Sequence, residues 1–449
     1  MKKSTKALSL ILSTAMVFSM TACGSSETTT ESKAETTTET VAETTAETTA
    51  ETTSETVAET TAEVTEKTIE PCTVTFWHGM GNAQEEELTK LTDEFNASNE
   101  YGITVELVYQ GAYGDLSSKL DASALSGELP DMSQVYNNWI TDYVDKVVTL
   151  DDFIATDFDN WEDIVVGFRE EAADYGDIKV LPFNKSTYLY FYNKTLYDEL
   201  GLTAPTTWDE LVANAKVIKA EKDLPTIGWD DMTAMLEAAV VQHGGTYSQD
   251  GKIVMNDETG IEAMSWLLDL FANGYATLVG DDGYFSTKLS NGNIAGYVGS
   301  STGVTYITVD GWELGVAPII SDVTAAGYQA GTNIAMFSQD ANKQLACWEY
   351  MKYLTSTEVT AEWAIATGYL PVRTSAFESE AYQAYLADSI TAQAAYEQIE
   401  NTFYEESFKG SNEVRNTVGS KMTEYIQEGT SAEDAMDDLM TEIEYILGY

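Results

Sequence analysis

Cysteine, histidine and arginine are scarce in this 449-residue chain, and each scarcity removes a class of chemistry. The three cysteines, Cys23, Cys72 and Cys347, are too few for a disulfide framework. Cys347 sits in the helical-looking stretch KQLACWEYMKYL, where a buried free thiol is the simpler state, and pairing with Cys72 is left open. The two histidines, His78 and His243, lie far apart and form no His-x-x-x-His pair, so a zinc site has no support. No G-x-S-x-G, P-loop or dinucleotide-type glycine motif occurs, and no acidic series stands at calcium-loop spacing. No metal and no cofactor is expected. Arginine is limited to Arg169, Arg373 and Arg415, and 23 Lys and Arg face 74 Asp and Glu, a formal net charge of −51. Such a field repels polyanions and disfavours an anionic ligand at long range, so nucleic-acid binding is excluded.

Long apolar runs are also missing, apart from one at the start. Lys2 and Lys3 precede ALSLILSTAMVFSM, and the small residues Thr21 and Ala22 lead into Cys23. This is the layout of a bacterial lipoprotein signal, with residues 1–22 removed and Cys23 lipidated; Met20 stands where such signals usually carry leucine. The run is short for a spanning helix of roughly 20 residues. Residues 23–71 read as a Thr/Glu-rich stalk, with a glutamate at every fourth position from Glu27 to Glu63. On a helix those charges would stack and repel, and little apolar surface is present to offset ordering, so disorder is expected. The chain is therefore expected on the extracellular face of the cell membrane, touching it through the lipid alone.

Residues 72–449 read as a folded body. CTVTFWHGM and ITVELVY alternate as strands, QEEELTKLTDEFNAS and YGDLSSKLDASALSG as amphipathic helices, and DMSQVY as a short strand. That order predicts a parallel α/β sheet. After LPFNKSTYLYFYNKTLYDELGL the pattern becomes mainly helical: TWDELVANAKVIKAE, MTAMLEAAVVQH, IEAMSWLLDLFAN and ACWEYMKYLTSTEVTAEWAIAT. Short strands return at NIAGYVGS and WELGVAPI, and EVRNTVGSKMTEYIQEG and AEDAMDDLMTEIEYIL close the chain as helices. An α/β lobe, a helix-rich lobe and returning segments predict two lobes with several crossings and a ligand cleft between them.

The stretches VTFWHGMG, EFNAS, VELVYQGAYGDL, GELPDMSQVY, LPFNKSTYLYFYNKTLYDELGL, PTTWDEL, TGYLPVRTSAF and GTSAEDAMDDLMTEIEYIL occur in this order across the body. Together they resemble the family 1 extracellular solute-binding proteins of ABC importers, most closely the glycerol-3-phosphate and sugar binders. The resemblance implies a two-lobed, type II-like periplasmic-binding-protein fold of the α/β class. Its N-lobe would comprise about 72–185 plus about 318–370, and its helix-rich C-lobe about 186–317 plus about 371–449. It also implies a monomer that captures a solute and delivers it to the transmembrane subunits of a permease.

By motif match the resemblance places ligand contacts at Tyr113, Asn137 (a glutamate in those relatives), Ser186, Trp229, Ser300, Ser301, the Gly331 backbone and Tyr369. Lys185 replaces a small polar neighbour and offers a substitute charge. Asp230 is read as a hydroxyl acceptor, although it and Asp231 equally suit the cap of the next helix. Trp77 and His78 follow the first strand and are further candidates. The arginine expected to face a phosphate falls near Ala392, and Arg415 matches a later position. Amides, hydroxyls and aromatic faces suit a neutral sugar or oligosaccharide. Glycerol-3-phosphate, or another polyol phosphate, is the second reading. A secreted carbohydrate-active enzyme is the third; it would need two carboxylates roughly 5–9 Å apart, and none stands in a recognisable catalytic motif.

Overall fold

β1 (Thr73–His78) buries alternate residues, Val74, Phe76 and His78, as its sequence pattern demands. This computed structural model describes residues 68–280 and 283–449, so the signal, Cys23 and the stalk up to residue 67 lie outside the described residues. β1 pairs in parallel with β2 (Thr104–Tyr109) on one side and β3 (Met132–Val135) on the other. The connections are the helices Asn82–Ser98 and Tyr113–Ser126, which press Leu88, Leu91 and Phe95, and Leu116, Leu120 and Ala124, into the interior. Those spacings of three and four set one helical face on the sheet.

The sheet continues through a strand with no alternation. β4 (Val180–Asn193) runs for 14 residues and is buried over nearly all of its length. Two two-residue strands, β5 (Ser248–Gln249) and β6 (Lys252–Ile253), form a separate hairpin. β7 (Gly296–Ser300) and β8 (Leu314–Pro318) pair antiparallel with the second half of β4, from Tyr188 onward. β9 (Gly327–Met336) pairs antiparallel with β3 and with the first half of β4, with a register shift between Pro182 and Asn184. β10 (Thr402–Phe403) adds in parallel to β9. The principal order is β2-β1-β3-β9-β4-β7, so one long strand joins two differently paired halves.

Each half has its own core. Around β1, β3, β9 and the start of β4, the side chains of Phe76, Leu91, Leu181, Ile334, Trp348 and Trp363 pack together. The other half is helical: Trp208–Lys222, Met232–Gln242, Glu258–Ala272, Ser411–Glu428 and Ala432–Leu447 share a core that includes Leu236, Leu267, Val418 and Leu439. A third cluster, with Phe168, Leu189, Tyr297, Leu370 and Phe377, packs segments from both sequence regions. The stretch ACWEYMKYLTSTEVTAEWAIAT forms two helices, Ala341–Leu354 and Thr357–Thr367. Ser356 ends the continuity by accepting the Val359 N–H as an N-cap. Cys72 and Cys347 are free thiols. Among the described residues no helix is long and apolar enough to cross a membrane.

Candidate functional site

A cavity of about 430 Å³ opens where the two halves meet along β4 and β9. One wall comes from the start of the helix Tyr113–Ser126 and from the turn after β3, giving Tyr113, Asp121, Tyr136, Asn137 and Trp139. The opposite wall comes from later chain: Asp231, Tyr404, Glu405, Ser407 and Arg415. Tyr188 of β4 and Tyr328–Gly331 of β9 form the floor, with Glu171 beside them.

Hydrogen bonds fix the aromatic wall. Tyr113 shares a bond with the Tyr369 hydroxyl at 3.0 Å and accepts one from Asn184 Nδ2 at 3.2 Å. Asn184 Oδ1 in turn accepts from Gln134 and Thr332, and Gln134 Oε1 accepts the Gly79 N–H at 2.9 Å. Burial beside Tyr369 and Tyr136 holds the Tyr113 hydroxyl well above its ordinary pKa, so it remains a donor as well as an acceptor.

Two ionic networks lie beneath and beside the cavity. Lys185 is fully buried, and its Nζ donates to Glu171 Oε2 at 2.6 Å. Asn333 Nδ2 donates to Glu171 Oε1 and to Asn137 Oδ1, both at 2.9 Å, and Gln329 also donates to Glu171. In the second network the Arg415 guanidinium donates to Asp231, to Glu405 and to the Tyr328 hydroxyl. Burial pushes the Glu405 carboxyl up, against the pull of Arg415. Behind it, burial and the Glu405 charge push Glu237 well up, and its Oε2 has no protein partner.

Tyr113, Asn137 and Gly331 therefore line one cavity, and Tyr369 supports it from behind. The Asn137 amide is occupied within the protein: Nδ2 donates to the Glu171 carbonyl at 2.5 Å while Oδ1 accepts from Asn333. Gly331 has φ +97°, and a Cβ there would stand 2.1 Å from the Asn184 carbonyl oxygen, so β9 can approach β4 only with glycine.

The remaining candidates lie elsewhere. Trp229 is 5% exposed and packs in the helical core, 6.3 Å from Phe271, because its backbone is bridged to Val298 of β7. Asp230 accepts the Phe285 N–H at 2.8 Å, and burial pushes it up to about 6; its neighbour Asp231 lines the cavity and caps the helix Met232–Gln242. Ser300 donates to Ser186, and Ser301 to the Gly368 carbonyl, so these hydroxyls satisfy one another and the backbone instead of lining the cavity. His78 is buried beside Tyr109, with burial lowering it to about 4, and Trp77 packs on the cluster around Leu116. Lys185 cannot supply a charge to the cavity, being sealed under Glu171. Ala392 is a buried residue of the helix Ile390–Gln398, whereas Arg415 reaches the cavity.

Sequence reasoning missed Asp121, Glu171, Tyr188, Tyr328, Gln329 and Glu405 as lining residues. Rarity was the available signal for Arg415. Among the described residues no cluster of His, Cys, Asp and Glu could hold a metal.

Residues 90–388 match the family described as bacterial extracellular solute-binding protein. The chain is 26% identical over 356 residues to the sn-glycerol-3-phosphate-binding periplasmic protein UgpB of Yersinia pseudotuberculosis, covering 73% of this chain and 80% of that one. It also resembles the crystal structure of a cyclic alpha-maltosyl-1,6-maltose binding protein from Arthrobacter globiformis (TM-score 0.73, 21% identity, 84% of this chain and 99% of that one). A third likeness is to UgpB from Mycobacterium tuberculosis in complex with glycerophosphocholine (TM-score 0.74, 20% identity, 84% and 98%). At these identities the structures show the fold, a two-lobed α/β architecture.

Proposed function

The chain belongs to the bacterial extracellular solute-binding protein family, and from that premise we propose that it is the lipid-anchored receptor of an ABC importer, capturing a non-anionic sugar or oligosaccharide for a membrane permease. It binds its ligand without transforming it. One observation carries the sugar reading: the single guanidinium in the cavity wall, Arg415, is already held by Asp231 and Glu405. A phosphate would have to displace a carboxylate and then lie beside the others. Sugar hydroxyls can use the same carboxylates and amides as acceptors and donors, while their C–H faces pack on Tyr113, Tyr136 and Trp139.

A second reading, a glycerol phosphate or its diester, is favoured by the presence of Arg415 in the cavity and by the name of the curated relatives. Calorimetry separates the two. The panel contains mono-, di- and oligosaccharides, glycerol-3-phosphate and glycerophosphocholine. Saturable binding of a sugar, with no heat from the phosphate compounds, is the expected result. Micromolar binding of glycerol-3-phosphate that Arg415→Ala abolishes would reverse it.

A further inference from the structure

The cavity wall is unbalanced in charge. It carries four carboxylates, Asp121, Glu171, Asp231 and Glu405, against one guanidinium. With Lys185 counted behind Glu171, two carboxylates are still left without a cation of their own. We infer that the ligand carries a protonated nitrogen, and that the site takes an amino sugar or an aminated oligosaccharide. The inference rests on the carbohydrate reading and narrows it.

Two further features fit a cationic ligand. Tyr113, Tyr136 and Trp139 meet edge to face, with centroids 5.6, 6.3 and 5.0 Å apart, and such rings present negative faces to a cation. Across the cavity the Arg415 guanidinium already sits 6.0 Å from the Tyr328 ring centre, so this wall tolerates a cation on an aromatic face.

Asp121 supplies the charge at the rim. It is exposed, makes no ion pair among the described residues, and has Asp142 as its charged neighbour. Asp231 and Glu405 share one cation between them. The chain's net charge of −51 favours cations over anions at long range.

Calorimetry on the full chain with matched pairs tests this: glucosamine and glucose, galactosamine and galactose, and β-1,4-linked glucosamine dimers and trimers against cellobiose and cellotriose. At low salt one amino member should bind about tenfold or more tightly than its neutral mate, and the advantage should shrink at high salt. Asp121→Asn and Glu405→Gln should each lower that ratio severalfold, with circular dichroism showing both variants folded. If the neutral member of each binding pair is equally tight or tighter, the charge inference fails and the carbohydrate reading stands. An unchanged ratio in both variants also overturns the inference. If no sugar of either kind binds, both fall together.

Discussion

Trp229 shows how one side chain can carry a family's signature and still do another job here. Its motif suggests a ring under a sugar, but the ring is buried among core residues of the helical half. Trp229→Ala should therefore lower stability by about 3–5 kcal/mol through the space it leaves. A denaturant midpoint that does not move, alongside weakened sugar binding, would return the ring to the cavity. Asp174 allows a second test at this scale. It accepts the Ser407 N–H at 2.7 Å, and burial, with Glu171 and Glu406 nearby, pushes it up to about 7 from 3.8. The folded protein keeps that proton where the unfolded chain releases it. The stabilisation is thus complete below the unfolded value and is lost as pH rises toward about 7. Asp174→Asn should flatten the fall in urea midpoint between about pH 4.5 and about 7. Parallel slopes for the two proteins would show that the proton sits elsewhere.

Among the elements, those with one face on the core could be read directly. β1 alternates, and the helices Asn82–Ser98 and Glu258–Ala272 bury residues three and four apart. β4 and β9 could not. Both faces of each are covered, so no period of two survives, and β4 carries a lysine near its middle whose charge is paired with Glu171 from another segment. The acidic wall was equally hidden. Glu171 and Glu405 are two of 74 acidic residues, and nothing local marks them; they reach the cavity through the crossing of distant strands. Gly331 is the exception, because its motif singled it out and the strand pair explains why. Gly331→Ala forces a positive φ on a side chain and drives Cβ into the Asn184 carbonyl. It should cost at least about 2 kcal/mol and loosen β9 from β4, read as a lower melting temperature and faster amide exchange at both strands. Unchanged exchange would mean that the close approach is dispensable.

At the scale of the molecule, two expectations concern anchoring and closure. Cys23→Ala should release a folded protein from the membrane fraction, because the lipid would be the sole attachment; persistence in that fraction would refute the lipoprotein assignment. Binding should draw the two lobes together, since a ligand that touches both walls has greater affinity for the closed arrangement. The radius of gyration from small-angle scattering should then fall with saturating sugar, and an identical profile with and without it would argue against a hinge.

The crossing strands also govern when the protein can fold. β9 lies between β3 and β4 and begins at Gly327, long after β3 ends at Val135, while the helical half waits for the segment Ala432–Leu447 to cover its core. The first half therefore stays incomplete until β9 has been made, and the helical half until Ala432–Leu447 has been made. Contacts so distant in sequence make for slow folding. In a family of extracellular proteins such a delay would keep the polypeptide threadable during export.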